Sequence, residues 1–383
     1  MFAAHDQTER QNLTQLMGNP NYPYLSGGLA GGLLMQTERY AVHPTAERRA
    51  RLEQLLQALI NAIQKHPLEV NLWSGLVGIL YAFEFVRASA PEILPAAVAD
   101  FVDEMDAQLG DYIRSRATTL HFDLISGVAG IGAYALMRTN LEAARNLYAI
   151  VEASLVAMST RTTAGRTWHT QPIHLGPLAP ASARENGHTD LGIAHGLPGV
   201  VLLLAGAHYH GLGTSATPGL LQEAVAALLE YQSDPVKGSR YSYYTSQKLS
   251  QASRLGWCYG DLSAGFALHG AATALVQPAL ASQAHEIVLS RLAQPEASFG
   301  FSDNTLCHGH GGALHMVHKL NAAAPAPRYA EFLRTRLDLL GDGRDHYALQ
   351  PGLLEGSCGV LLAMEDRHSR GRHHWDVCLT FGF

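Results

Sequence analysis

The chain has 383 residues, of which 47% are apolar, enough to bury a large core. A formal net charge of −6 with no basic tract argues against a nucleic-acid partner, and runs such as Val200-Val201-Leu202-Leu203-Leu204-Ala205 are far too short to cross a bilayer. Four cysteines are too few for a disulfide-stapled scaffold, so a reducing compartment is expected, with the thiols left for packing, catalysis or metal binding.

Met1-Phe2-Ala3-Ala4-His5-Asp6 lacks a charged stretch followed by an apolar core, so no signal peptide is expected and the location is predicted to be cytoplasmic. From Ser26-Gly27-Gly28-Leu29-Ala30-Gly31 onward, a glycine phrase recurs seven times, roughly 47 to 70 residues apart. Between the first two copies, Ala46–Gln64 places Leu52, Leu55, Leu56, Leu59, Ile60 and Ile63 on one helical stripe. After Ser74-Gly75-Leu76-Val77-Gly78, the segment Leu76–Val86 is apolar nearly all round, as a buried helix is. The third copy, Ser126-Gly127-Val128-Ala129-Gly130, follows Asp123; the one-sided pattern then returns in Leu147, Ile150, Val151 and Leu155. A stretch rich in His, Thr, Pro and Gly, about 160–190, carries Trp168, His169, His174, Asn186 and His188. Next comes His195-Gly196-Leu197-Pro198-Gly199 and the buried-type run Val200–Ala207. A polar, tyrosine-rich stretch, about 232–256, holds Tyr241, Tyr243, Tyr244 and Lys248. Three copies close the chain: Gly260-Asp261-Leu262-Ser263-Ala264-Gly265, His308-Gly309-His310-Gly311-Gly312 and Glu355-Gly356-Ser357-Cys358-Gly359, with Tyr329, Phe332, Leu333 and Leu337 striped between the last two.

One unit repeated at a fixed period means stacking of a single supersecondary element. Alternating buried and one-sided helices predict an all-α chain in two concentric layers, an inner barrel and an outer ring, as one domain over residues 1–383. The two irregular stretches read as rim loops at the mouth of a site. In a closed ring, equivalent positions converge at one end. The polar residues at those positions are Asp123, His195, Cys258 and the pair Cys307-His308. Two thiols and an imidazole suit Zn²⁺ with a vacant fourth position. Read singly, each has a plainer meaning: Cys258 a small buried hydrophobe, Asp123 a cap for the Ser126 turn, His195 a core histidine. His310 competes as a ligand. His269, His315 and His318 read as packed or exposed without a role, and Cys358 and Cys378 as structural.

The combination Trp257-Cys258-Tyr259-Gly260, Cys307-His308-Gly309, Ala194-His195-Gly196 and the seven phrases resembles the lanthionine synthetase C-like family, and within it the stand-alone class I lanthipeptide cyclases. The resemblance spans nearly the whole chain. It implies an α/α toroid of seven inner and seven outer helices, and a zinc-dependent addition of peptide cysteine thiols to dehydroalanine or dehydrobutyrine, forming lanthionine and methyllanthionine rings. It implies Cys258, Cys307 and His308 as ligands of one zinc per chain, His195 as acid/base histidine, Asp123 as its aspartate, Arg254 as an active-site arginine and Tyr259 beside the metal. Implied partners are a dehydrated precursor peptide (leader plus core), a separate dehydratase and a transporter, in a complex that the chain joins peripherally at the membrane. The one departure is the longer fifth phrase, Gly260 to Gly265, which blurs the start of the fifth inner helix. A family member that binds zinc and a thiol such as glutathione without closing rings is the alternative. A zinc prenyltransferase on a helical barrel fits WCYG and CHG poorly, and a toroid glycosidase would need a second carboxylate opposite Asp123.

Overall fold

The computed structural model describes residues 2–19, 21–65, 67–177, 179, 181–236, 238–246, 252–341, 350–365 and 373–382. Among the described residues, seven helices form the inner layer: α2 (Leu29–Val42), α4 (Leu76–Ser89), α6 (Val128–Met137), α9 (Leu197–Tyr209), α11 (Asp261–Leu275), α13 (His310–Ala323) and α15 (Ser357–Glu365). Each packs on the next, and α15 packs on α2, so the ring is closed. Outside lie α3 (Ala46–Ile63), α5 (Ala96–Ser115), α7 (Leu141–Met158), α10 (Thr217–Glu230), α12 (Pro278–Leu292) and α14 (Pro327–Gly341). The seventh outer place is taken by α1 (Phe2–Gly18), which packs on α15, α2 and α3. The expected α/α toroid is therefore present.

The two layers differ for the reason their sequences differ. α6 and α9 are buried on every side and apolar on every side. The outer helices bury a stripe: α3 buries Leu52, Leu55, Leu56 and Leu59, and α14 buries Tyr329, Phe332 and Leu333. Two outer helices start on side-chain caps: Thr45 accepts from Arg48 N–H at 3.2 Å, and Asn140 from the Glu142 and Ala143 backbone N–H groups at 3.1 and 3.2 Å.

Inner helices start differently. Each is immediately preceded by a glycine of the repeat: Gly28, Gly75, Gly127, Gly196, Gly260, Gly309 and Gly356. The loop before each helix doubles back against that glycine. A Cβ on Gly28 would lie 1.9 Å from the carbonyl oxygen of Tyr22, six residues earlier, and one on Gly356 would lie 2.3 Å from that of Gln350. In six of these loops the next residue donates its N–H to the same carbonyl, as Leu29 does to Tyr22 at 3.0 Å and Leu197 to Asp190 at 3.1 Å. Close approach of backbone, rather than helix termination, is what the repeated glycine is for. The fifth phrase departs less than its spelling suggests. Its helix starts squarely after Gly260 (φ +92°), and Ser263 replaces the second glycine, its Oγ accepting from Ile193 N–H at 2.9 Å.

Neighbouring loops are stitched to one another two residues before the glycine. Cys258 N–H donates to Cys307 C=O, Cys307 N–H to Leu354 C=O and Leu354 N–H to Ser26 C=O, all at 3.1 Å; Ser26 N–H reaches Trp73 C=O at 2.9 Å. This seam fixes loops from distant parts of the chain in one register at one end of the ring.

The first irregular stretch is more ordered than a bare rim loop. Residues 159–190 contain a hairpin, β1 (Ser159–Arg161) antiparallel to β2 (Arg166–Trp168), and the short α8 (Ala181–Asn186). Buried Trp168 anchors the hairpin, donating from Nε1 to Leu155 C=O at 2.7 Å. The two stretches also pair with each other through a bridge of Asp190 to Tyr244. Lys248 lies outside the described residues.

The segment 373–382 enters the middle of the ring. Buried Asp376 accepts from Lys319 Nζ at 2.7 Å, His315 Nε2 at 2.8 Å and His374 Nδ1 at 2.6 Å. Trp257, beside Cys258, donates to Leu379 C=O at 3.3 Å. His315 is thus packed, and buried Cys358 and Cys378 have thiols that burial pushes up, that of Cys358 to about 12. Replacing Asp376 by Ala strands three cations or imidazoles in the interior. It should cost about 3–5 kcal/mol, visible as a melting temperature several degrees lower; an unchanged melting curve would refute this account of the plug. Among the described residues, no helix is long and apolar enough to cross a membrane.

Candidate metal centre and active site

Numbering each loop back from its glycine shows how the site is made. The positions one and two before the glycine hold His195, Tyr259, His308 and Glu355, and Cys258 and Cys307, while the position six before holds His121, Asp190, Arg254 and Asp303. The seam holds the loops of Cys258, Cys307 and His308 on one rim; Tyr259 Oη to Asp190 Oδ1 at 2.9 Å and His195 Nδ1 to Asp123 Oδ2 at 2.6 Å bring the third and fourth loops against them.

The Cys258 and Cys307 sulfurs and a His308 ring nitrogen all lie within 4.8 Å of one another, as a metal ion requires. His308 Nε2 is 2.9 Å from Asp303 Oδ2, which leaves Nδ1 as the nitrogen for an ion. A histidine held through its far nitrogen by a carboxylate is the usual partner arrangement of a zinc ligand. The two thiols perturb one another in opposite directions. The hydrogen bond from Cys307, opposed by burial and aided by His308 and Arg254, lowers the Cys258 thiol to about 5. The bond to Cys258, with burial, pushes Cys307 up. Two soft donors and one imidazole this close together fit Zn²⁺ with a position to spare. His310, the competing ligand, turns away: its ring lies against Phe301 at 4.3 Å and its Nδ1 faces Arg336 at 3.1 Å.

Beside the thiols stands the Asp123–His195 pair. His195 Nδ1 is 2.6 Å from Asp123 Oδ2. Asp123 is 1% exposed, whereas the His195 side chain keeps 42% of its surface and so opens to the mouth. Asp123 Oδ1 accepts from Ser126 N–H and Oγ at 2.9 and 3.1 Å, so the capping reading was right as far as it went. The equivalent Asn71 holds Ser74 in the same way at 2.8 and 3.1 Å. An amide suffices for the turn; the carboxylate adds a charge. Burial works against that charge, but hydrogen bonds from His121 and His195 outweigh it and hold Asp123 well below the usual carboxylate range. Burial likewise opposes protonation of His195, but the bond and charge of Asp123, with Asp190 and Cys258 adding, raise its proton affinity.

Half-buried Arg254 sits within electrostatic reach of both thiols and His308. The Tyr259 hydroxyl donates to Asp190 Oδ1 at 2.9 Å; burial first, then Asp190, with Cys258 adding, pushes the phenol far up. Asp190 also takes His188 Nε2 at 2.8 Å and Thr170 Oγ1 at 3.1 Å. Asp190, Asp303 and His121 were missed by the motif reading. Their shared signal, six residues before the glycine, was available in the repeat register.

Comparisons with known proteins bear on the whole chain and its fold. A solved structure titled Nisin cyclase superposes with a TM-score of 0.83 at 17% identity, covering 98% of this chain and 97% of that one. Nisin biosynthesis protein NisC of Lactococcus lactis subsp. lactis is 21% identical over 362 residues, 89% of this chain and 84% of its own length. Residues 20–380 match the family model described as lanthionine synthetase C-like protein. The chain belongs to the lanthionine synthetase C-like family.

Proposed function

We propose that the protein is a zinc-dependent lanthipeptide cyclase, adding cysteine thiols of a dehydrated precursor peptide to dehydroalanine and dehydrobutyrine. The observation that carries this reading is the meeting of a Cys₂His donor set with His195, open to the mouth and held by buried Asp123. Cys258, Cys307 and His308 would hold one Zn²⁺ per chain. The chemistry such a cation supplies is Lewis acidity toward a thiol, which in water is only about 3% thiolate at neutral pH.

The remaining work falls to side chains. Addition forms a carbon–sulfur bond, opens the dehydro double bond and leaves an enolate that needs a proton at its α-carbon. With Nδ1 engaged by Asp123, His195 presents Nε2–H to the mouth and gives that proton; the proton lost from the thiol restores it. A positioned acid contributes roughly 10²–10⁴-fold. Arg254 stabilises the developing enolate oxygen by its charge. Tyr259, fixed by Asp190, shapes the wall next to Cys258. A separate dehydratase supplies the substrate, and a transporter follows; the work is done in the cytoplasm, at the membrane-associated complex.

The test is to incubate the purified chain with dehydratase-treated precursor and count free thiols by alkylation and mass. Thiol loss without mass change supports cyclisation. Binding of peptide or glutathione at the zinc with all thiols retained would favour the non-cyclising alternative. A separate expectation concerns Asp303: replaced by Ala, it should loosen zinc by about 10–100-fold, read in a competition with a chromophoric chelator. Unchanged affinity would remove Asp303 from the centre.

A further inference from the structure

Asp123 carries two imidazoles rather than one. Its Oδ2 meets His195 Nδ1 at 2.6 Å, and its Oδ1 meets His121 Nδ1 at 2.9 Å. His121 is 7% exposed, and its Nε2 is buried without a hydrogen-bond partner among the described residues. The His174 and Phe122 rings cover it, with centroids 4.5 and 4.6 Å away. Nothing in the repeat calls for a histidine there. Equivalent positions carry Tyr22, Glu69, Asp190, Arg254, Asp303 and Gln350, and the Asn71 turn forms without an imidazole at its Oδ1. A buried polar ring that leaves one nitrogen unsatisfied is costly, so its retention needs a reason.

We infer that His121 is a positioning residue for His195: by gripping Oδ1 of Asp123 it fixes the plane of the carboxylate, so that Oδ2 holds the His195 ring with Nε2 aimed at the reacting carbon. The inference rests on the reading of His195 as the acid. Ser126 N–H and Oγ donate to Oδ1, and His121 Nδ1, 2.9 Å from Oδ1 and 3.4 Å from the Asp123 backbone N, closes its remaining side, so the carboxylate cannot swing about its terminal bond. The bond from His121 also heads the influences that hold Asp123 ionised against its burial. The charged and titratable groups facing the assembly are His174 and Asp123 at His121, and Asp123, Asp190 and Cys258 at His195. None but Asp123 touches both rings.

His121→Phe, His121→Asn and His121→Gln test this, alone and combined with Asp123→Asn. Asn places an amide N–H close to where Nδ1 stood; Gln reaches instead toward the place of Nε2. Cyclisation kinetics are measured alongside the NMR signal of the His195 Nδ1–H proton, assigned by its loss in His195→Asn. We expect kcat to fall about 10–100-fold in the Phe and Gln variants with KM little changed, and to recover in the Asn variant. The Nδ1–H signal should shift in Phe and Gln and return in Asn, and His121→Phe should add nothing on top of Asp123→Asn. Should the Phe variant not fold, the Asn-against-Gln contrast decides. Full kcat and an unmoved signal in the Phe or Gln variant, or losses that multiply with that of Asp123→Asn, overturn the inference. If His195→Asn cyclises at the native rate, the acid reading itself falls, and the NMR signal still reports whether His121 positions His195.

Discussion

Replacing Cys258 with Ala will yield a folded ring that no longer retains zinc and no longer closes thioethers. The loss of turnover should exceed about a hundredfold, since metal Lewis acidity is worth several kcal/mol to a thiol addition at neutral pH. Folding should survive because the loop is held by backbone. Cys258 N–H to Cys307 C=O and the glycine contact at Gly260 do not use the sulfur. His308→Ala should behave alike and should also strand Asp303, its partner at 2.9 Å. Metal content by plasma mass spectrometry and thiol counting on the same sample are the readouts. Stoichiometric zinc together with native turnover in Cys258→Ala would end the assignment.

The second large effect is at His195. His195→Asn should keep its zinc and lose roughly 10²–10⁴-fold in kcat/KM. The pH profile supplies the sign. Asp123 raises the proton affinity of His195, so the acid form persists to higher pH and the rate falls as pH climbs through that raised value. Asp123→Asn keeps the turn, as Asn71 does in the second loop, but removes the charge. The fall should therefore move to lower pH in that variant, with melting behaviour close to native. An alkaline limb in the same place in both proteins would show that Asp123 does not tune His195.

The layered fold was readable because it rests on periodicity and on glycine. Leu52 to Ile63 marks a one-sided helix, and Val200 to Ala207 a buried one, before any coordinates exist. The cluster of Cys258, Cys307 and His308 was readable because cysteines are few and these residues stand at repeat starts. Arg254 and Tyr259 rested on resemblance alone, and the bond of Tyr259 to Asp190 emerges only in three dimensions. Asp190, Asp303 and His121 were not picked out because a lone Asp or His in a loop carries no local pattern. Their meaning comes from register, six residues before a glycine whose helix they lie against. The order in 159–190 was hidden for another reason: its hairpin is short and leans on Trp168 burial and on pairing with residues far along the chain.

Six of the outer helices follow the inner helix they cover, whereas α1 covers α15 from the other end of the chain, with Ser357 Oγ donating to Asn12 Oδ1 at 2.6 Å. An open solenoid can gain or shed a unit at its end and leave the others intact. A ring shut in this way cannot, because removing or adding one unit opens a gap or forces every crossing to change. Its arity is locked at seven, so chemical novelty in such an architecture has to arrive by exchanging side chains on the rim, never by growing the scaffold.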